Sequence, residues 1–168
     1  MNRDKKTLQL VKTSIFIAAV TVTTLVVQIP SPTQGYINLG DCFVLLSGWI
    51  LGPVGGFLAG GLGSMLSDLL AGYSYFAPAS LAVKGLGAVF AALIYAKLPK
   101  KTWSLVVSGA VGEVFIVLGY FGYTALLLGK GLAAAASIPG DLVQAIVGIC
   151  LGTVLFHVVK RAKLTDTK

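Results

Sequence analysis

Apolar residues run along this chain in six blocks, each closed by Pro, Gly or charged residues. The blocks cover residues 8–29, 41–51, 53–71, 78–98, 102–128 and 141–159. A helix crossing a bilayer needs about 20 mostly apolar residues, so most blocks match a crossing in length. The block 41–51 is short, and we expect it to be tilted or extended by the segment before it. The breaks have physical causes. Pro30, Pro32 and Gly35 cannot extend the first helix, Gly52-Pro53 forces a tight turn, and Pro99 sits among lysines. The expected fold is therefore all-α: one compact six-helix membrane domain spanning residues 1–168.

Composition sharpens this picture. Of 168 residues, 56% are hydrophobic and only 11% charged, against about 25% charged in a soluble domain. There is no room for a separate soluble unit. The 21 glycines suit helices packed backbone to backbone in lipid. Gly52, Gly56, Gly60 and Ser64 recur every four residues and form one small stripe, with Asp68 one turn further on. Ala88, Ala92 and Ala96 form another. Cys42 and Cys150 lack metal-site or disulfide spacing and are read as packing residues.

The net charge of +7 does not point to nucleic acid, because the basic residues lack aromatic interleaving and are confined to three places. Arg3, Lys5, Lys6 and Lys12 precede the first block. Lys97, Lys100 and Lys101 lie between the fourth and fifth, and Lys160, Arg161, Lys163 and Lys168 follow the sixth. Eleven of the thirteen Lys and Arg thus fall on one side of a six-helix topology, which places both termini in the cytoplasm of a multi-pass plasma-membrane protein. The basic start followed by an apolar run resembles a signal peptide, but no small-x-small cleavage site ends it. It is read as a retained first helix.

With that orientation, polar groups gather at the outer ends of the helices. Asn38 and Asp41 open the second block, Asp68 closes the third, and Lys84 lies two turns into the fourth. Tyr120 and Tyr123 lie in the outer part of the fifth, with Glu113 deeper on the Tyr120 face, while Asp141 and Gln144 open the sixth. Charged groups in a bilayer cost several kcal/mol unless paired or hydrated, so they mark a site or a structural pair. The cluster is read as a water-accessible binding cup. The plainer alternatives are an internal ion pair of Lys84 with Asp68 or Glu113, and helix N-caps at Asp41 and Asp141. The aromatic loop 72–78 either marks the lipid boundary or lines the cup. His157 is expected at the opposite interface.

Catalytic machinery is not visible. There is no GxxxxGK[ST] phosphate loop and no HExxH or GxSxG motif. Neither an enzyme, a cofactor nor a metal site is implied. No inverted repeat of the kind found in many secondary transporters is apparent. A cup without a motor captures a solute, and moving it needs partners.

Four segments together carry a resemblance: Tyr36-Ile37-Asn38-Leu39-Gly40-Asp41, LGPVGGFLAGGLGS at 51–64, Asp68-Leu69-Leu70-Ala71-Gly72-Tyr73, and Ala77-Pro78-Ala79-Ser80 followed by Lys84-Gly85. The chain resembles the substrate-capture (S) component of energy-coupling factor (ECF) vitamin transporters, and is most similar to those for vitamin B6 or the hydroxymethylpyrimidine precursor of thiamine. The resemblance implies a six-helix bundle that binds a vitamin at its outer face under the first loop. It also implies a transmembrane coupling protein and two cytoplasmic ATPases as partners, with release inward by toppling of the S component. An Ala-xxx-Ala motif on the first helix of such proteins docks the coupling protein; Ser14 and Ala18 occupy that place here. Carboxylates and Gln144 beside aromatic faces suit a small heterocycle with amino or hydroxyl substituents. Two other readings of the same residues are a self-sufficient proton-coupled transporter and a scaffold without a ligand.

Overall fold

A computed structural model describes residues 3–31 and 35–162. Helix α1 (Arg3–Val26) leads into two short antiparallel strands, β1 (Gln28–Pro30) and β2 (Tyr36–Asn38). Gln28 faces Asn38 across this pair and Pro30 faces Tyr36. Helix α2 (Asp41–Phe57) continues through a π turn (Leu58–Leu62) into α3 (Gly63–Leu70). Helices α4 (Ala77–Lys97) and α5 (Thr102–Gly122) follow, the latter ending in a second π turn (Tyr123–Leu127). A 3₁₀ segment (Gly131–Ser137) then enters α6 (Ile138–Arg161).

Among the described residues, five stretches are long and apolar enough to cross a membrane: Asp4–Val26, Asp41–Leu70, Ala77–Lys97, Thr102–Leu127 and Gly131–Arg161. The second of these is not straight. Gly52 adopts φ 78°, ψ −173°, a conformation open to glycine because it lacks a Cβ. Pro53 follows at the start of the next arm, where its missing N–H is harmless. A Cβ placed on Gly56 would lie 2.7 Å from the Cα of Gly48, and one on Gly60 would lie 3.0 Å from Val44 Cγ1. In a straight helix, residues eight apart are separated by about 12 Å. The arms 41–51 and 53–70 therefore run back against each other.

Helix α4 lies in the groove of this hairpin. The Cβ position of Gly48 falls 2.5 Å from the Ala88 carbonyl, and that of Gly61 falls 2.6 Å from the Leu81 carbonyl. No larger residue fits there without moving backbone. Helix α1 joins the hairpin's second arm where Thr21 Oγ1 donates to the Gly63 carbonyl at 2.9 Å. The hydroxyls of Thr13 and Ser14 donate to carbonyls four residues back, and Thr21 shares its one hydrogen between the Gly63 and Ile17 carbonyls, so α1 leaves few polar groups bare in lipid.

The bundle is polar within and apolar without, the reverse of a soluble domain. Val26, Leu70, Leu118, Ile146 and Val154 are exposed, while Asp41, Lys84, Glu113 and Ser108 are buried. The end near the Gly52 turn is packed with Leu45, Leu46, Trp49, Ala91, Tyr95 and Leu105, and Trp49 Nε1 donates to Ser108 Oγ at 3.0 Å. The polar groups occupy the other end.

Several boundaries differ from expectation. Helix α1 stops at Val26, because Gln28–Pro30 is drawn into pairing with β2. Residues 32–34 of the expected loop lie outside the described residues, as do Lys163 and Lys168. Helix α6 begins at Ile138 rather than near Asp141, with Pro139 accommodated in its first turn. Neither Asp41 nor Asp141 is an N-cap: those positions belong to Gly40 and Ser137. In the alanine stripe, Ala88 and Ala92 are buried but Ala96 is exposed.

Candidate functional site

Lys84 is the charge at the centre of the polar end. Its Nζ lies 2.8 Å from Asp41 Oδ1, and both side chains are almost fully buried. A second Lys84 N–H reaches Asn38 Oδ1 at 3.4 Å. Asn38 Oδ1 also accepts from the Gly40 N–H at 2.9 Å, which holds the entry to α2. Gln144 on α6 closes the ring: its Nε2 donates to Asp41 Oδ2 at 2.5 Å, and its Oε1 accepts from the Asn38 N–H at 2.6 Å. The ring thus ties together β2, α2, α4 and α6 and pairs both Asp41 oxygens, as a buried carboxylate requires.

A second network surrounds Asp68. Tyr36 OH donates to its Oδ1 at 2.6 Å, and Ser80 Oγ donates to its Oδ2. Tyr120 OH lies 2.6 Å from Ser80 Oγ, so with Ser80 donating to Asp68 the tyrosine donates to Ser80. Burial, with the neighbouring Asp68 carboxylate and its hydrogen bond, pushes the Tyr36 phenol up from its ordinary value; it stays protonated and able to donate. The Tyr36 ring packs on Tyr73 with centroids 4.8 Å apart, and Phe76 packs against Tyr120 and Tyr123.

Between the two networks lies a cavity of about 50 Å³. A water needs about 10–15 Å³ measured this way, so the space holds a few waters and must widen for anything larger. Asn38, Asp68, Lys84, Tyr120, Asp141 and Gln144 all line it. Asp41 stands just behind, committed to Lys84. Three of the buried oxygens around the cavity, Thr24 Oγ1, Ser64 Oγ and Asp141 Oδ2, have no hydrogen-bond partner within the protein.

Other expected positions fall elsewhere. Lys84 pairs with Asp41, not with Asp68 or Glu113; Asp68 is already served by two hydroxyls. Glu113 does not line the cavity. It lies two turns, about 10 Å, below Tyr120 on α5, where its Oε1 and Asp41 Cβ both lie 3.1 Å from a Cβ position at Gly148. Glu113 Oε1 has no protein partner. Tyr123 packs on Phe76 and donates to the Tyr75 carbonyl, outside the cavity wall.

Tyr36, Ser64, Ser80 and Thr24 also line the cavity and were not singled out as binding residues. Ser80 lies one turn before Lys84 on the same face, and Ser64 one turn before Asp68, so helical spacing could have found both. Thr24 carries no such signal. Ser14 and Ala18 are exposed on α1. Ser14 edges a separate groove of about 430 Å³ with Leu10, Ile17, Val54 and Leu58.

A family model described as the ECF-type riboflavin transporter S component matches residues 4–161. The chain belongs to that family. Among curated proteins it is similar to an uncharacterized protein in the gap 3' region of Pyrococcus woesei, 38% identical over 144 residues, which is 85% of this chain and 95% of the other. The S component is the substrate-binding membrane subunit of an ECF transporter and not an enzyme. In this S component the cavity brings together the buried charges Lys84, Asp68 and Asp141, while the end near the Gly52 turn is packed with large apolar side chains.

Proposed function

We propose that this S component captures a small heterocyclic vitamin or precursor, of the size of pyridoxine, pyridoxamine or hydroxymethylpyrimidine, in the cavity between the Lys84 ring and the Asp68 network. The observation that carries this reading is the cavity itself: small, walled by hydrogen-bonding side chains, and bordered by three buried oxygens without protein partners. A single six-membered ring with short polar substituents can fill such a space after modest widening. A three-ring flavin asks for a much larger one.

The proposed topology is six crossings, counting the two arms at Gly52 separately, with both termini cytoplasmic and the cavity facing outward. Basic residues support it: Lys97, Lys100 and Lys101 lie between α4 and α5, at the end opposite the cavity, as do the start of α1 and the end of α6. Asn38, Asp68, Lys84, Tyr120, Asp141 and Gln144 would meet the ligand, and Asp41 would hold Lys84 in place. Tyr123 and Glu113 would act from behind the wall. The coupling protein would dock on the exposed Ser14–Ala18 flank of α1, and two ATPases would supply the energy. A second reading, proton-coupled transport by the protein alone, draws support from the unpartnered oxygen of Glu113.

Reconstitution separates the two. In liposomes, the protein alone should bind vitamin without accumulating it under a pH gradient, and uptake should need the coupling protein, the ATPases and ATP. Accumulation by the protein alone would overturn the capture-subunit reading in favour of the second.

A further inference from the structure

Hydrogen bonds within the wall occupy many of the cavity's donors and leave Thr24 Oγ1, Ser64 Oγ and Asp141 Oδ2 without a protein partner. The hydroxyls of Tyr36 and Ser80 go to Asp68, and that of Tyr120 to Ser80. The Gln144 amide goes to Asp41, and the Lys84 ammonium is held by Asp41 and Asn38. Of the three unpartnered oxygens, two are hydroxyls and the third is a carboxylate oxygen. Ser64, 1% exposed, can turn its hydroxyl to give or accept. Asp141 Oδ2, while ionised, can only accept.

The charges point the same way. One cation, Lys84, stands among Asp41, Asp68 and Asp141, and Asp41 neutralises it. Asp68 is met by two hydroxyl donors. Among the described residues no ion pair reaches Asp141. Its position is nonetheless well held: it lies in the first turn of α6, next to Gly140, whose Cβ position falls 2.6 Å from Ile37 Cδ1 on β2. The helix start is pressed against the strand that carries Tyr36 and Asn38, leaving Asp141 at a set place on the wall.

Building on the small-heterocycle reading above, we propose that Asp141 is the specificity-determining residue of the cavity. Its partner on the substrate is an exocyclic amine, carried as an ammonium or as part of an amidinium. Ser64 Oγ, on the part of the wall contributed by the hairpin, takes a second polar substituent. A hydrogen bond between an ammonium or amidinium N–H and a carboxylate is roughly twice as strong as a neutral one, and burial keeps it from being screened. The site thus distinguishes an amine from a hydroxyl at one position of an otherwise identical ring.

Calorimetry on the full-length protein in detergent tests this with two matched pairs. Pyridoxamine and pyridoxine share a ring and differ by an amine in place of a hydroxyl. 4-Amino-5-hydroxymethyl-2-methylpyrimidine and its 4-methoxy counterpart likewise share a ring and differ by an amine in place of an oxygen substituent. In at least one pair the amine should bind about tenfold or more tighter at neutral pH. Asp141→Asn should shrink that preference to within about threefold, with the melting temperature of the unliganded protein little changed. Equal binding within both pairs, or a preference that survives Asp141→Asn, would overturn the assignment and leave the small-heterocycle reading standing. Failure of all four compounds to bind would overturn that reading and the assignment with it. The comparison on the unaltered protein decides even where the variant does not fold.

Discussion

Lys84 Nζ sits 2.8 Å from Asp41 Oδ1, deep in the bundle and away from the lipid-facing surface. The two residues belong to helices that meet only because the glycines of the hairpin let α4 approach closely. Removing one member leaves the other charge buried alone, which costs about 3–5 kcal/mol. Lys84→Met and Asp41→Leu should each lower the melting temperature by many degrees. The double variant should recover most of the loss yet bind no vitamin. Single variants as stable as the parent would show that the pair has no structural role.

The hairpin stripe makes a steric prediction. A Cβ at Gly48 or Gly61 would fall 2.5–2.6 Å from a backbone carbonyl of α4, so Gly48→Ala and Gly61→Ala should each destabilise by about 1–3 kcal/mol through overpacking. Gly122 is a control, since a Cβ there meets nothing within 4 Å and its φ of −61° is helical. Gly122→Ala should be neutral or stabilise by up to about 1 kcal/mol. Thermal melts of the three variants in one detergent check this.

Tyr36 and Ser80 are expected to hold Asp68 in place for the ligand. Tyr36→Phe removes one hydrogen bond to a carboxylate while preserving the ring packed on Tyr73. Such bonds are worth about 1.5–3 kcal/mol, so titration calorimetry should show vitamin affinity falling about tenfold to a hundredfold. Ser80→Ala should behave alike and also free Tyr120. Unchanged affinity in both would place Asp68 outside the binding function.

Ser14→Leu separates capture from delivery. Ser14 is exposed and its hydroxyl bonds its own helix backbone at Leu10, so the substitution should leave folding and vitamin binding intact. ATP-driven uptake by the reconstituted complex should fall steeply if the Ser14–Ala18 flank meets the coupling protein. Full uptake would place the docking surface elsewhere.

How much of this was legible in the sequence differs from residue to residue. The turn at Gly52-Pro53 could be read directly, because glycine opens φ and proline cannot sit in a helix interior. So could the gathering of Asn38, Asp68, Lys84, Tyr120, Asp141 and Gln144, since helix ends and charge distribution alone set their depth. The partner of Lys84 could not. Asp41, Asp68 and Glu113 all come within plausible depth, and the choice depends on helix rotation, which spacing does not supply. Thr24 and Tyr36 were hidden because they sit at the end of a helix and in a three-residue strand, too short for any period to show. The start of α6 falls three residues ahead of the apolar block, because Pro139 is accommodated in its first turn, where proline is tolerated.

The most direct test of vitamin capture is the thermal stability of the purified protein against pyridoxine, pyridoxamine, hydroxymethylpyrimidine, thiamine, riboflavin and biotin. A ligand present at 100 times its Kd stabilises by about 2.7 kcal/mol, a readily visible shift. A strong shift with one or more of the first three and little with riboflavin is the predicted result. A shift with riboflavin alone, or with none of the six, would contradict a cavity built for a small heterocycle.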